Sequence, residues 1–182
     1  MISMRCDHPD IEKFITIKSD LNKVNYANIS VMVSDEFMQA VENDSDWEPH
    51  FTRPETGESI TKTVKAKDLF ELICKQNWDY AEPGVLFWDT IIRESIPDCY
   101  ADLGYRTIST NPCGEIPLCP YDSCRLLAIN LYGYVENPFT PEAYFNFDLF
   151  KKHVACAQRI MDDIIDLELE KIKKIQEKID SD

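Results

Sequence analysis

The sequence has no run of about 18 apolar residues, so no segment reads as a membrane span. Its opening, MISMRCDHPD, lacks the basic patch and apolar stretch of a signal peptide. Positive charge is scarce. Nineteen Lys and Arg stand against 33 Asp and Glu, for a net charge of −14. That charge repels phosphate backbones and anionic lipid, which argues against nonspecific nucleic-acid binding. Small phosphorylated ligands stay open, because helix N-termini and a few local donors can hold them. There is no internal repeat, low-complexity tract or clear linker, and 182 residues fit one domain. The seven cysteines include no Cys-x₂-Cys pair, and the histidine nearest to Cys113, Cys119 and Cys124 is His153. That spacing disfavours zinc, and no metal is expected. An odd number of irregularly spaced cysteines, in a chain without an export signal, points to free thiols and a cytoplasmic protein.

What is present supports a folded domain. The chain is 44% hydrophobic, enough for a core. Residues 8–18 read as a helix, with Pro9 in its first turn, Asp10 and Glu12 complementing its dipole, and Ile11, Phe14 and Ile15 on one face. Residues 19–28 are polar and read as a loop. Ile29 to Val33 is a β-branched run and predicts a strand. Ser34 is placed to cap a helix whose buried stripe is Phe37, Ala40 and Val41. Residues 43–59, with Pro49, Pro54 and Gly57, predict a surface excursion. A second helix follows, with Leu69, Phe70, Ile73 and Cys74 on one face. Residues 83–90 open with a Pro-Gly turn and continue as a strand or the start of a helix. The run Leu126 to Val135 predicts a strand. From about 148 to 180 the pattern is helical, with a stripe through Phe150, Val154, Ala157, Met161, Ile164 and Ile165. Leu169, Ile172, Ile175 and Ile179 carry it on. Such a length predicts a break near Asp166 to Glu168, or a partner helix. Cys6, Cys74, Cys99 and Cys156 read as small buried hydrophobes. Asp162, Asp163 and Asp166 read as a solvated face, and Trp47, Trp78 and Trp88 as packing residues.

The segment TNPCGEIPLCPYDSC, Thr110 to Cys124, is where chemistry concentrates. Pro112 and Pro117 disfavour helix at Asn111 and Ile116, so the stretch between them is extended or looped. If it is extended, Asn111, Cys113 and Glu115 share one face. That face offers an amide, a thiol and a carboxylate to one small molecule. A carboxylate beside a thiol raises the thiol pKa, which disfavours attack by a thiolate. A neutral thiol exchanging a hydrogen atom, with Glu115 as base on a substrate hydroxyl, fits better.

NPCGEIPL followed by CRLLAINL resembles the finger-loop region of the large, catalytic subunit of ribonucleotide reductases. DHPDIEKFI, NISVMVSDEFMQAV, EPGVLFWDTI and MDDIIDLELEKI are similar to the same family, in the same order. The form with Pro112 and Gly114 is most like the adenosylcobalamin-dependent class. The resemblance implies an α/β fold: a central piece of the family's ten-stranded α/β barrel, α+β if taken by itself. It implies a single barrel segment over 1–182, with a finger loop at about 109–118.

The resemblance also implies roles. Cys113 would carry the thiyl radical that takes hydrogen from the ribose 3′ carbon, and Glu115 would be the base on the 3′ hydroxyl. Asn111 would orient the substrate hydroxyls. Cys124 would be one of two cysteines that reduce the 2′ position. Lys18 to Tyr26 resembles the loop that relays a bound effector nucleotide to substrate choice. The implied partners are a ribonucleotide, a nucleotide effector, a thioredoxin-type reductant and the remaining segments of the reductase; the implied cofactor is adenosylcobalamin. The chain departs from the family at Arg125 and Leu127, where Asn and Gly are usual, and at Cys119, where no cysteine is required. A reductase segment inactive alone is the first expectation. A non-catalytic module that completes the barrel of a split enzyme is the alternative. Either way, strands taken out of a barrel leave open edges, so exposed apolar surface or self-association is expected.

Overall fold

The computed structural model describes residues 1–20 and 22–181. They fall into two compact units, Met1–Cys124 and the residues from Arg125 onward. In the first unit the elements run β1 (Ile2–Arg5), α1 (Ile11–Thr16), β2 (Ile29–Val33), α2 (Asp35–Glu42), β3 (Asp46–Trp47), β4 (His50–Thr52), β5 (Ser59–Thr61) and β6 (Val64–Lys65). They continue with α3 (Ala66–Tyr80), β7 (Gly84–Phe87), α4 (Trp88–Glu94), β8 (Ser109–Thr110) and β9 (Pro117–Leu118). The second unit contains β10 (Val135–Glu136), β11 (Tyr144–Phe145) and α5 (Phe147–Ser181). The elements are thus mixed helix and strand.

The centre of the first unit is a parallel three-stranded sheet in the order β1-β2-β7. Parallel neighbours need crossovers, and helices supply them: α1 between β1 and β2, α2 and α3 between β2 and β7. All five residues of β2 are buried. A strand covered on both faces has no wet side, which is why ISVMV is a continuous run rather than an alternating one. Ile11, Ile15, Ile29, Val31, Val33, Phe37, Leu69 and Ile73 form one core with Cys6 and Ala66. Each large side chain so buried contributes about 1.5–3 kcal/mol. The Ser34 side chain accepts the Phe37 amide at 3.1 Å and caps α2 as expected. The excursion at 43–59 is largely exposed, and β4 pairs with β5 across it. Its base is pinned where Trp47 Nε1 donates to the Cys6 carbonyl at 3.0 Å and packs edge-on against Phe37. Residues 83–90 use both of the expected forms, strand β7 and then the start of α4.

Three expectations are corrected. Leu126 to Val135 is not a strand: residues 126–130 are irregular, Leu131–Tyr134 is a 3₁₀ turn, and only Val135 enters a ladder. Asn130 Oδ1 accepts the Tyr132 amide at 3.1 Å and starts that turn. Of the two alternatives for the C-terminal helix, the break near Asp166 to Glu168 is overturned; α5 runs unbroken from Phe147 to Ser181. No Pro or Gly falls inside it, and Asn146 Oδ1 caps its start by accepting the Leu149 amide at 3.0 Å. Cys74, Cys99 and Cys156 are exposed, unlike Cys6. Cys74 lies one position round the helix from buried Ile73. Cys99 sits in the 3₁₀ segment Pro97–Leu103, which buries nothing, and Cys156 on α5, which buries nothing either.

In the second unit, Tyr134 is the buried centre of an aromatic cluster with Phe145, Phe150 and His153. Its hydroxyl meets His153 Nδ1 at 3.0 Å, which fixes the first turns of α5. Beyond them the apolar residues Ile164, Ile165, Leu169, Ile172, Ile175 and Ile179 are exposed. The exposed apolar surface expected of the chain is therefore present. No helix among the described residues is long and apolar enough to cross a membrane.

Candidate active site

Strands β8 and β9 pair antiparallel, Ser109 opposite Leu118 and Thr110 opposite Pro117, so residues 111–116 are the loop of a hairpin. Of the two conformations the prolines allow, the loop is adopted. The Gly114 amide donates to the Asn111 carbonyl at 3.0 Å, making a tight turn through Pro112 and Cys113. Gly114 has φ +83°, a left-handed value that suits glycine. A Cβ there would also lie 3.1 Å from Leu86 Cδ2, so the turn sits directly over strand β7. The Asn111 amide donates to the Ile116 carbonyl at 3.2 Å and closes the loop.

Within that loop Asn111 is buried, while Cys113 and Glu115 are exposed. Asn111 Nδ2 donates to Glu115 Oε1 at 2.6 Å. Asn111 Oδ1 accepts the Ile116 amide at 3.0 Å. The Asn111 side chain is thereby satisfied at both ends, and it orients the Glu115 carboxylate. Thr110 Oγ1 donates to the Asn111 carbonyl at 2.9 Å from a buried position. The extended face is thus replaced by a turn. Asn111 and Glu115 still meet, by loop closure, and Cys113 stands at the tip between them as a free thiol.

Beneath the hairpin, Asp98 holds the incoming strand. Its carboxylate accepts the Ser95 hydroxyl and, at 3.2 Å, the Thr107 amide. Burial pushes the Asp98 carboxyl up, but the hydrogen bonds from Ser95 and Thr107, with the charge of Arg106, outweigh it. Its pKa lies below the ordinary value. This support had no signature in the sequence, because Thr107 lies nine residues away across an irregular turn. Glu115, Ile116 and Pro117 line a cavity of about 550 Å³ with Thr90, Glu94 and Ile96.

Cys124 follows a turn at Cys119 to Asp122 and is exposed with a free thiol. It takes no part in the hydrogen bonds of the 111–116 loop among the described residues. Cys119 is half-buried, and burial with the nearby charges of Asp122 and Asp98 pushes its thiol up. The loop from Lys18 to Tyr26 is described except for Leu21, which lies outside the described residues. Lys18 pairs with Glu82, and Lys18, Lys23 and Asn25 line a cavity of about 490 Å³ against Trp78 and Tyr80.

Comparison with known proteins agrees with the residues. The chain is similar over 173 residues, at 39% identity, to a vitamin B12-dependent ribonucleoside-diphosphate reductase of Thermoplasma acidophilum. It is 34% identical over 169 residues to an enzyme of the same name from Mycobacterium tuberculosis. It is 32% identical over 186 aligned positions to a vitamin B12-dependent ribonucleotide reductase of Streptomyces clavuligerus. These matches cover 93%, 92% and 89% of the chain, but 21%, 22% and 18% of the relatives. The chain therefore spans about a fifth of the length of these relatives. The family model for the ribonucleotide reductase barrel domain matches residues 1–182. By that match, and by identities above 30% along most of its length, the chain belongs to the ribonucleotide reductase barrel-domain family.

Proposed function

We propose that this chain is the finger-loop segment of a ribonucleotide reductase that reduces ribonucleotides to deoxyribonucleotides for DNA synthesis, by thiyl-radical chemistry. It supplies part of a larger α/β barrel; the parallel sheet β1-β2-β7 supports that reading. The observation that carries the functional reading is the 2.6 Å contact between Asn111 and Glu115, with the Cys113 thiol exposed at the turn between them.

The roles are those the family resemblance implies, and that arrangement supports them. Cys113, as a thiyl, takes the hydrogen atom from the 3′ carbon and later returns it. Glu115 accepts the 3′ hydroxyl proton, and the Asn111 amide holds that carboxylate in place while facing the substrate hydroxyls. The 2′ hydroxyl takes a proton from one thiol of a cysteine pair and leaves as water, and the pair's other hydrogen ends on the 2′ carbon. The two electrons come from a pair of thiols that end as a disulfide, Cys124 being one of them. A thioredoxin-type protein reduces that disulfide between turnovers. The names of the first two relatives favour a nucleoside diphosphate substrate. The loop 18–26 is read as the relay from a nucleotide effector.

The relatives' names also point to adenosylcobalamin, which supplies the initiating radical when bound. The cavity of about 550 Å³ beside the finger loop suits a nucleotide-sized ligand.

The test is complementation. The chain alone is expected to be inert, and joining it to the remaining segments should restore reduction. Cys113→Ser in the complete enzyme should then abolish turnover, by at least about 10³-fold. Turnover that survives Cys113→Ser would favour the interaction-module reading over the catalytic one.

A further inference from the structure

One carboxylate holds both ends of the loop at 19–27. Glu82 Oε2 pairs with Lys18, where the loop opens. Glu82 Oε1 accepts from Asn28 Nδ2 and from the Ile29 amide, each at 3.2 Å, where the loop closes. The side chains of Lys18 and Glu82 are each only 18% exposed. Salt screens a pair so sheltered far less than a surface pair. Removing either partner leaves the other charge uncompensated.

Glu82 is itself held on a rigid link. Helix α3 ends at Tyr80, and Ala81 takes a left-handed φ of 60° while its amide donates to the Asn77 carbonyl at 2.8 Å. Asn77 Nδ2 donates to the Pro83 carbonyl at 3.0 Å. Gly84 then enters the ladder opposite Ser30, so close that a Cβ would lie 2.9 Å from Ser30 Oγ. The carboxylate therefore meets the Ile29 amide where β2 begins to pair with β7. Lys18 faces two ways. It holds Glu82, and it lines the cavity between the loop and the end of α3.

We propose that Glu82 is a positioning residue for this loop. By clamping Lys18 and the Asn28–Ile29 step to one carboxylate, it fixes the two ends of the loop and lets the loop transmit effector binding to substrate choice. The proposal rests on reading the loop as the effector relay. Coupling needs an element with defined arrangements that both sites bias. A loop with loose ends absorbs a displacement in its own dihedrals. A clamped loop passes it on.

The experiment uses the complete reductase carrying this segment, as wild type, Glu82→Gln, Glu82→Ala and Lys18→Met. Glu82→Gln keeps an acceptor for Ile29 and guards against loss of folding. The readouts are the ratio of kcat/KM for two nucleotide substrates with and without effector, and amide hydrogen exchange over residues 19–29. Loss of the clamp should reduce the effector-induced change in that ratio by about tenfold. Exchange in the loop should accelerate, with effector-free turnover within about twofold of wild type. Lys18→Met should reproduce the faster exchange and the weakened effector response. If exchange accelerates but the effector ratio is kept, Glu82 is structural only and the proposal is overturned. If exchange does not change, the clamp itself is refuted. If the effector fails to change the ratio in the wild-type enzyme, the relay reading fails first, and the proposal falls with it.

Discussion

Two regions of this chain carry equally clear apolar stripes and meet opposite fates. Phe37, Leu69 and Ile73 on α2 and α3 are buried against β2, with exposures of 0–3%. Ile164, Ile172 and Ile175 also recur at helical spacing on α5 and are 38–59% exposed. Periodicity reports which face of a helix is apolar; it does not report whether a partner is there to cover it. The first region holds together by burial. The second is a helix of 35 residues, long enough to be stable on its own backbone, helped by side-chain pairs such as Gln158 with Asp162 and Gln176 with Asp180.

Three measurements sharpen that contrast. Phe37→Ala removes a fully buried ring that also packs against Trp47, and should cost about 3–5 kcal/mol in chemical denaturation of the chain. A loss below 1 kcal/mol would mean the core is not packed as described. The second concerns Cys6. Burial, first among its causes, pushes the Cys6 thiol up to about 11. An unfolded thiol ionises near 8.5, while the folded one stays protonated. Stability from this group is therefore full below about pH 8.5 and is lost as pH rises through 11, amounting to about 3 kcal/mol. Cys6→Ala should flatten the alkaline limb of the stability curve. In the same chain, exposed Cys74 and Cys156 should react with alkylating reagents long before Cys6 does. The smallest effect belongs to α5. Ile172→Ala should change the unfolding free energy by less than about 0.5 kcal/mol while lowering self-association in light scattering. A cost above 1 kcal/mol would show that a partner already packs on that face.

Legibility followed distance along the chain. Ser34 was readable as a cap because its partner, the Phe37 amide, is three residues away. Strand β2 was readable because complete burial leaves no polar alternation. The meeting of Asn111 with Glu115 was readable from spacing, but for a different reason than the one the structure shows. An extended chain would have aligned the two residues; instead a turn at Cys113 and Gly114 brings their side chains into contact. The Leu126 to Val135 run misled, because β-forming residues become a strand only where another strand accepts them. There, Asn130 offered its own side chain to the backbone first.

By itself, the sequence determined most of the local elements and singled out Asn111, Cys113, Glu115 and Cys124 as the candidate site. Caps, prolines and short-range spacing act between near neighbours, and residue identity is all the family's motif needs. Only the tertiary structure decided that Glu82 reaches back 53 and 54 residues to the start of β2, and that Leu86 lies under Gly114. It alone decided that the stripe on α5 stays bare from Ile164 onward. Those outcomes depend on which surfaces the folded chain brings within a few ångströms of one another, and no local pattern encodes that.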